Sequence, residues 1–124
     1  MTKHKIIAKD KQHLEELIKN EIKLHGVKCD LNHIDVSNIT NLSGIFTAFK
    51  FNGDISNWNI SNVINMANIF YDSQLEKDKN TPYWNIEDKE IRDKEVKIYQ
   101  VKLNLHNKLN DNLSSKNISQ KPKI

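Results

Sequence analysis

"FNGDISNWNISNVINMANIF" (Phe51–Phe70) spaces large apolar residues evenly through a background of Asn, Ser and Asp. The pattern has an earlier copy. "CDLNHIDVSNITNLSGIF" (Cys29–Phe46) aligns without a gap with "GDISNWNISNVINMANIF" (Gly53–Phe70) at an offset of 24 residues. The identities are Asp30/Asp54, Ser37/Ser61, Asn38/Asn62, Asn41/Asn65, Ile45/Ile69 and Phe46/Phe70. Leu31/Ile55, Val36/Ile60, Ile39/Val63 and Leu42/Met66 are like-for-like apolar pairs, so 10 of 18 positions agree in character. This is an internal repeat, and its period belongs to repeat architectures.

Spacing within each copy suggests how it folds. Ile34 and Val36, like Trp58 and Ile60, stand two apart, as on one face of a strand. Ile39, Leu42 and Ile45, and their counterparts Val63, Met66 and Ile69, then step by three, which suits a short helical segment. Ser37 and Ser61 fall at the changeover, where an N-cap is wanted. Stacked copies would bring Asn38 near Asn62 and Asn41 near Asn65, where side-chain amides can bridge backbone groups. The fold class expected is α/β: a short leucine-rich-repeat-like solenoid of two 24-residue strand-plus-helix coils.

Two such units cannot bury their own ends, so the flanks are read as caps. "KIIA" (Lys5–Ala8) suits a short strand. Leu14, Leu17, Ile18, Glu21, Ile22 and His25 share one helical face, with Asp10 as N-cap and Gly26 past the C-terminus. Downstream, "YWNI" (Tyr83–Ile86) echoes "NWNI" (Asn57–Ile60) before the pattern fails. Ile91, Ile98, Val101, Leu105 and Leu109 then give a second helical face, although "YQVKLNL" also alternates like a strand. A single repeat domain is expected over 1–113: an N-terminal cap (1–28), two repeats (29–80), and a degenerate repeat with a C-terminal helical cap (81–113). A flexible tail (114–124) follows.

With "FNGDISNWNISNVINMANIF" and its partial copy in view, residues 29–70 resemble the BspA-like leucine-rich-repeat family of bacteria. Its units read like F-N-G-D-I-S-x-W-D-V-S-N-V-T-N-M-x-x-M-F. The second unit keeps nearly every marked position; the first keeps D-V-S-N-I-T-N-L with Ile34 in place of Trp. The resemblance implies a solenoid of strand-plus-helix coils and a role in protein–protein contact, often in surface-exposed or lipid-anchored adhesion proteins.

Bulk properties narrow the function classes. Residues 29–75 carry one Lys against four Asp, while the flanks 1–28 and 76–124 are each net +3. An acidic middle does not suit direct nucleic-acid binding. Cys29 is the single cysteine, so no disulfide framework calls for an oxidising compartment. The N-terminus shows no signal-peptide run, and no segment is apolar enough for a membrane span. A cytoplasmic protein is expected. Only 3 Gly are present and no phosphate-binding loop occurs.

His25, Cys29 and His33 stand four apart with zinc-ligand chemistry, but Gly26 breaks the helix that would align them. No cofactor and no metal are expected. The binding residues expected are the outward strand positions His33, Asp35, Asn57 and Asn59, which alternate with core residues, together with Trp84 as an aromatic anchor. The expected function is a non-catalytic module binding another protein through a small solenoid surface, and not an enzyme. One alternative is a small mobile-element-encoded inhibitor of a host enzyme that processes nucleic acid. The other is a metalloprotein or enzyme using His25, Cys29 and His33.

Overall fold

Six short polar side chains set the course of the central backbone. Asp30, Asp35 and Asn41 each accept, through Oδ1, the N–H of the residue two positions on, at 2.7, 2.9 and 2.8 Å. Asp54, Asn59 and Asn65 do the same at 2.9, 3.1 and 3.0 Å. Each closes an Asx turn, a substitute for a backbone turn that Asp and Asn alone make well. Between these turns, tight i→i+3 bonds recur at matching places. Ile34 N–H donates to Leu31 O and Trp58 N–H to Ile55 O; Ile39 to Val36 and Val63 to Ile60; Ile45 to Leu42 and Ile69 to Met66.

A computed structural model of the protein describes residues 4–120, with side-chain surroundings through residue 111. The elements in order are β1 (Ile6–Ile7), α1 (Lys11–His25), β2 (Ile34–Asp35), α2 (Gln74–Lys77) and α3 (Lys89–Gln120). The chain divides into two compact units, Met1–Arg92 and Asp93–Ile124.

In the first unit the segments 29–46 and 53–70 lie side by side. Parallel bridges join Asp30 to Asp54 and Asn41 to Asn65. Alternate N–H groups of the first segment donate across: Leu42 to Asn65 O, Gly44 to Ala67 O, Phe46 to Ile69 O and Ala48 to Tyr71 O, at 2.8–3.0 Å. Asn62 Nδ2 reaches Ser37 O at 2.7 Å, and Asn57 N–H reaches Asn32 Oδ1 at 2.8 Å. Asn41 and Asn65 instead close turns within their own segments.

The apolar positions of both segments are buried, among them Leu31, Ile34, Val36, Leu42, Ile55, Ile60, Val63 and Met66. Aromatic rings run through this interior. Phe46 stacks on Phe51 at 5.3 Å and on Phe70 at 5.7 Å, and Trp58 stacks on Trp84 at 6.2 Å. The two indoles are also held alike. Trp58 Nε1 donates to Leu31 O at 2.9 Å, and Trp84 Nε1 to Ile55 O at 3.0 Å. A buried indole N–H needs such a partner.

Both ends of this unit are closed. β1 pairs in parallel with β2, Ile6 opposite Ile34, and α1 buries Leu14 and Ile18. Asp10 caps α1 by accepting the His13 N–H at 2.8 Å, and Gly26 ends it at φ 90° with its N–H on Ile22 O. At the other end Arg92 is fully buried. Its guanidinium donates to the carbonyls of Ile86 (2.9 Å) and Val63 and to Met66 Sδ (2.8 Å). A buried charge is tolerable only when it is hydrogen-bonded, and the two terminal nitrogens of this guanidinium are.

The expected α/β leucine-rich-repeat-like solenoid of two strand-plus-helix coils is corrected. The described residues hold three helices and one two-stranded sheet, a small mixed α/β fold. The physical reason lies in the turns. Gly44, Ala48, Asn68 and Asp72 adopt positive φ (64°, 55°, 56° and 54°), and a left-handed residue every four positions cannot belong to a right-handed helix. No helix directly follows Ser37 or Ser61 among the described residues, so neither serine is an N-cap; their N–H groups close turns onto Asp35 and Asn59. β2 pairs with β1, not with Trp58–Ile60.

The described residues of the second unit all belong to α3. Residues 96–105 are helical, and helix continues to Gln120 through most of the tail expected at 114–124; residues 121–124 lie outside the described residues. Among the described residues no helix is long and apolar enough to cross a membrane.

Gly53 provides a direct test of the close approach between segments. A Cβ there would lie 1.9 Å from Cys29 O and 2.9 Å from Cys29 C, both backbone atoms. Gly53→Ala is expected to cost about 1–3 kcal/mol through forced displacement, read as a lower urea midpoint at unchanged m-value.

Candidate functional site

Most of the residues expected to face a partner are committed to the fold. His33 is nine-tenths buried, its Nε2 3.1 Å from Glu21 Oε1 of α1, and its Nδ1 has no hydrogen-bond partner among the described residues. Asp35 holds the Ser37 N–H and pairs with Lys5 at 3.5 Å. Asn59 holds the Ser61 N–H in the same manner. Asn57 and Asn59 are exposed, but Trp84 is fully buried against Trp58 and Phe70. Trp84 thus lies in the interior, in keeping with its echo of "NWNI".

The expected zinc-type trio is dispersed in environment. His25 is exposed at the end of α1, Cys29 is buried, and His33 faces Glu21. Among the described residues no three His, Cys, Asp or Glu side chains come together as a metal cluster.

Two surfaces stand out instead. The first is a depression of about 470 Å³ across the two segments. Ser43, Gly44 and Thr47 line it from the first, and Asn65, Ala67, Asn68 and Tyr71 from the second. These are neutral groups: hydroxyls, amides and one aromatic ring. Lys11 of α1 reaches Ser43 Oγ at 3.2 Å and so ties the helix to this region. The signal for it was available in the alignment. Ser43/Ala67, Gly44/Asn68 and Thr47/Tyr71 are equivalent pairs in which the two copies differ, while the buried pairs around them agree.

The second surface is a stripe on α3 within the second unit. Ile98, Val101, Leu105 and Leu109 are 46, 65, 57 and 51% exposed. Their 3,4,4 spacing places them on one helical face. This stripe was legible in the sequence as a helical face.

Two carboxyls in the first unit are electrostatically distinct. Asp35 is held below its ordinary 3.8 by hydrogen bonds from the Ser37 hydroxyl and N–H, with Lys5 adding to them. Asp54 is lowered by the Ser56 N–H, the Ser56 hydroxyl and Asn32. The folded chain therefore binds fewer protons at these sites than the unfolded chain does. Their stabilisation is complete above the unfolded carboxyl value of about 3.9 and is lost as pH falls through the lowered folded values. Unfolding midpoints should accordingly drop on acidification below about pH 4. Asp35→Asn, which keeps an Oδ1 acceptor as Asn59 does, should flatten that pH dependence relative to the parent chain.

A family model described as "Mycoplasma protein of unknown function, DUF285" matches residues 12–123. No curated protein and no solved structure matches the chain. The resemblance to the BspA-like leucine-rich-repeat family is corrected on this finding: the matching family is a different one, and its match extends over α1 and α3 as well as the repeated segments.

Proposed function

The chain belongs to the DUF285 family, and we propose that it is a non-catalytic module that binds another protein through the apolar face of α3. The exposed stripe Ile98, Val101, Leu105 and Leu109 carries this reading. A lone helix has no neighbour within its own unit against which to bury such a face. Water around four large aliphatic side chains is a standing cost, at about 25 cal/mol per Å², that a partner's groove relieves. Helix-in-groove recognition uses anchors at this spacing.

The first unit suits a scaffold for that helix. Its polar side chains are spent on turns, and its candidate catalytic residues are scattered between surface and core. The acidic middle argues against nucleic acid as the direct partner. A cytoplasmic setting belongs to the same reading, since a chain with one buried thiol needs no oxidising compartment.

The test is affinity capture from native cells with the full chain and with a Val101→Asp/Leu105→Asp variant. A partner retained by the parent chain and reduced at least about tenfold in the variant, the factor given by ~1.4 kcal/mol, supports the reading. Equal recovery with both chains, at unchanged helix content, overturns it.

A further inference from the structure

We propose that the depression between the two segments is a binding site for a neutral saccharide. This goes beyond the protein-binding role of α3 and rests on different residues. The walls combine an aromatic face with amides and hydroxyls and contain no carboxylate, imidazole or thiol. Tyr71 is 63% exposed. Such a ring offers a flat apolar face to the C–H groups of a sugar and carries a hydroxyl besides.

Subtracting the internal bonds shows what remains for a ligand. Asn65 Oδ1 is occupied by the Ala67 N–H at 3.0 Å, which leaves its Nδ2 donors. Thr47 Oγ1 donates to Asn68 O at 2.7 Å, which leaves its lone pairs as acceptors. Ser43 Oγ accepts from Lys11 Nζ, which leaves its proton as a donor. The Asn68 amide and the Tyr71 hydroxyl make no side-chain bond among the described residues. The set is thus balanced between donors and acceptors, as vicinal hydroxyls require. It is poorly suited to phosphate, for no Lys or Arg is among the residues that line it. It is also poorly suited to a wholly apolar ligand, because amides and hydroxyls would be left unpaired.

Two residues of the lining have left-handed backbone. Gly44 sits at φ 64°, and an added Cβ would touch Thr47 Oγ1 at 3.4 Å. Asn68 occupies the equivalent left-handed place at φ 56°. The fold asks there for a residue tolerant of positive φ, which glycine meets in one segment. In the other an amide is carried instead. The volume of about 470 Å³ falls in the range of small-molecule sites.

Saturation-transfer NMR on the full chain, with glucose, galactose, mannose, N-acetylglucosamine and their disaccharides, tests the proposal. The same sugars at the ends of immobilised glycans form a second arm, which separates free sugar from glycan as the source. Saturable binding of at least one sugar is expected in either arm. It should weaken about tenfold, corresponding to ~1.4 kcal/mol, in Tyr71→Ala and in Asn68→Gly, with thermal unfolding unchanged. Asn68→Gly keeps the left-handed backbone, so it reports the amide alone. No binding in either arm, or affinity unchanged from the parent chain in both variants, overturns the proposal.

Discussion

The constraint on which the first unit depends is the Asx turn, made three times in each of two segments. A side-chain oxygen that takes the N–H two residues on bends the backbone without a neighbouring strand. That allows apolar residues to face inward at intervals of two or three in a stretch whose regular structure is limited to the two residues of β2. It also determines which N–H groups are left over. Those of Leu42, Gly44, Phe46 and Ala48 are not used locally, and they are the ones that cross to the second segment. Local polar chemistry and long-range pairing are therefore one arrangement. The aromatic interior around Phe46 fills the space that the arrangement encloses.

Much of this was legible in the sequence, in an uneven way. The offset between the segments, the inward positions and the capping of α1 by Asp10 and Gly26 all follow from residue pattern. The local conformation did not. A three-residue apolar step is shared by 3₁₀ helix and by successive tight turns, and the difference lies in left-handed residues. Gly44 is an obvious candidate for positive φ, but Ala48 is not, and nothing in "SGIFTAF" marks it. Asp35 and Asn59 were read as outward binding groups because they alternate with core residues. Their actual use follows from Ser37 and Ser61 two positions on, which offer the N–H groups they hold. Trp84 lies outside the clear repeat, yet its indole repeats the bond that Trp58 makes.

The candidate surfaces differ in how visible they were. The stripe on α3 follows from periodicity, which reveals a face but not what covers it. The depression near Tyr71 follows from departures between otherwise similar segments. Where Phe46 and Phe70 coincide the fold dictates the side chain, and where Thr47 and Tyr71 differ it does not. Variation inside one chain thus separates structural positions from those open to other uses, without any second sequence.

The cross-links between the segments span fixed intervals: Leu42 to Asn65, Phe46 to Ile69, and Asn62 back to Ser37. The connecting run through Phe51, Asn52 and Gly53 is consequently a gauge of set length. One extra residue within it would disturb the Asn52 N–H bond to Val27 O and the close approach of Gly53 to Cys29. Lengthening is therefore best absorbed outside the paired segments, and the molecule's room for insertion lies at its margins.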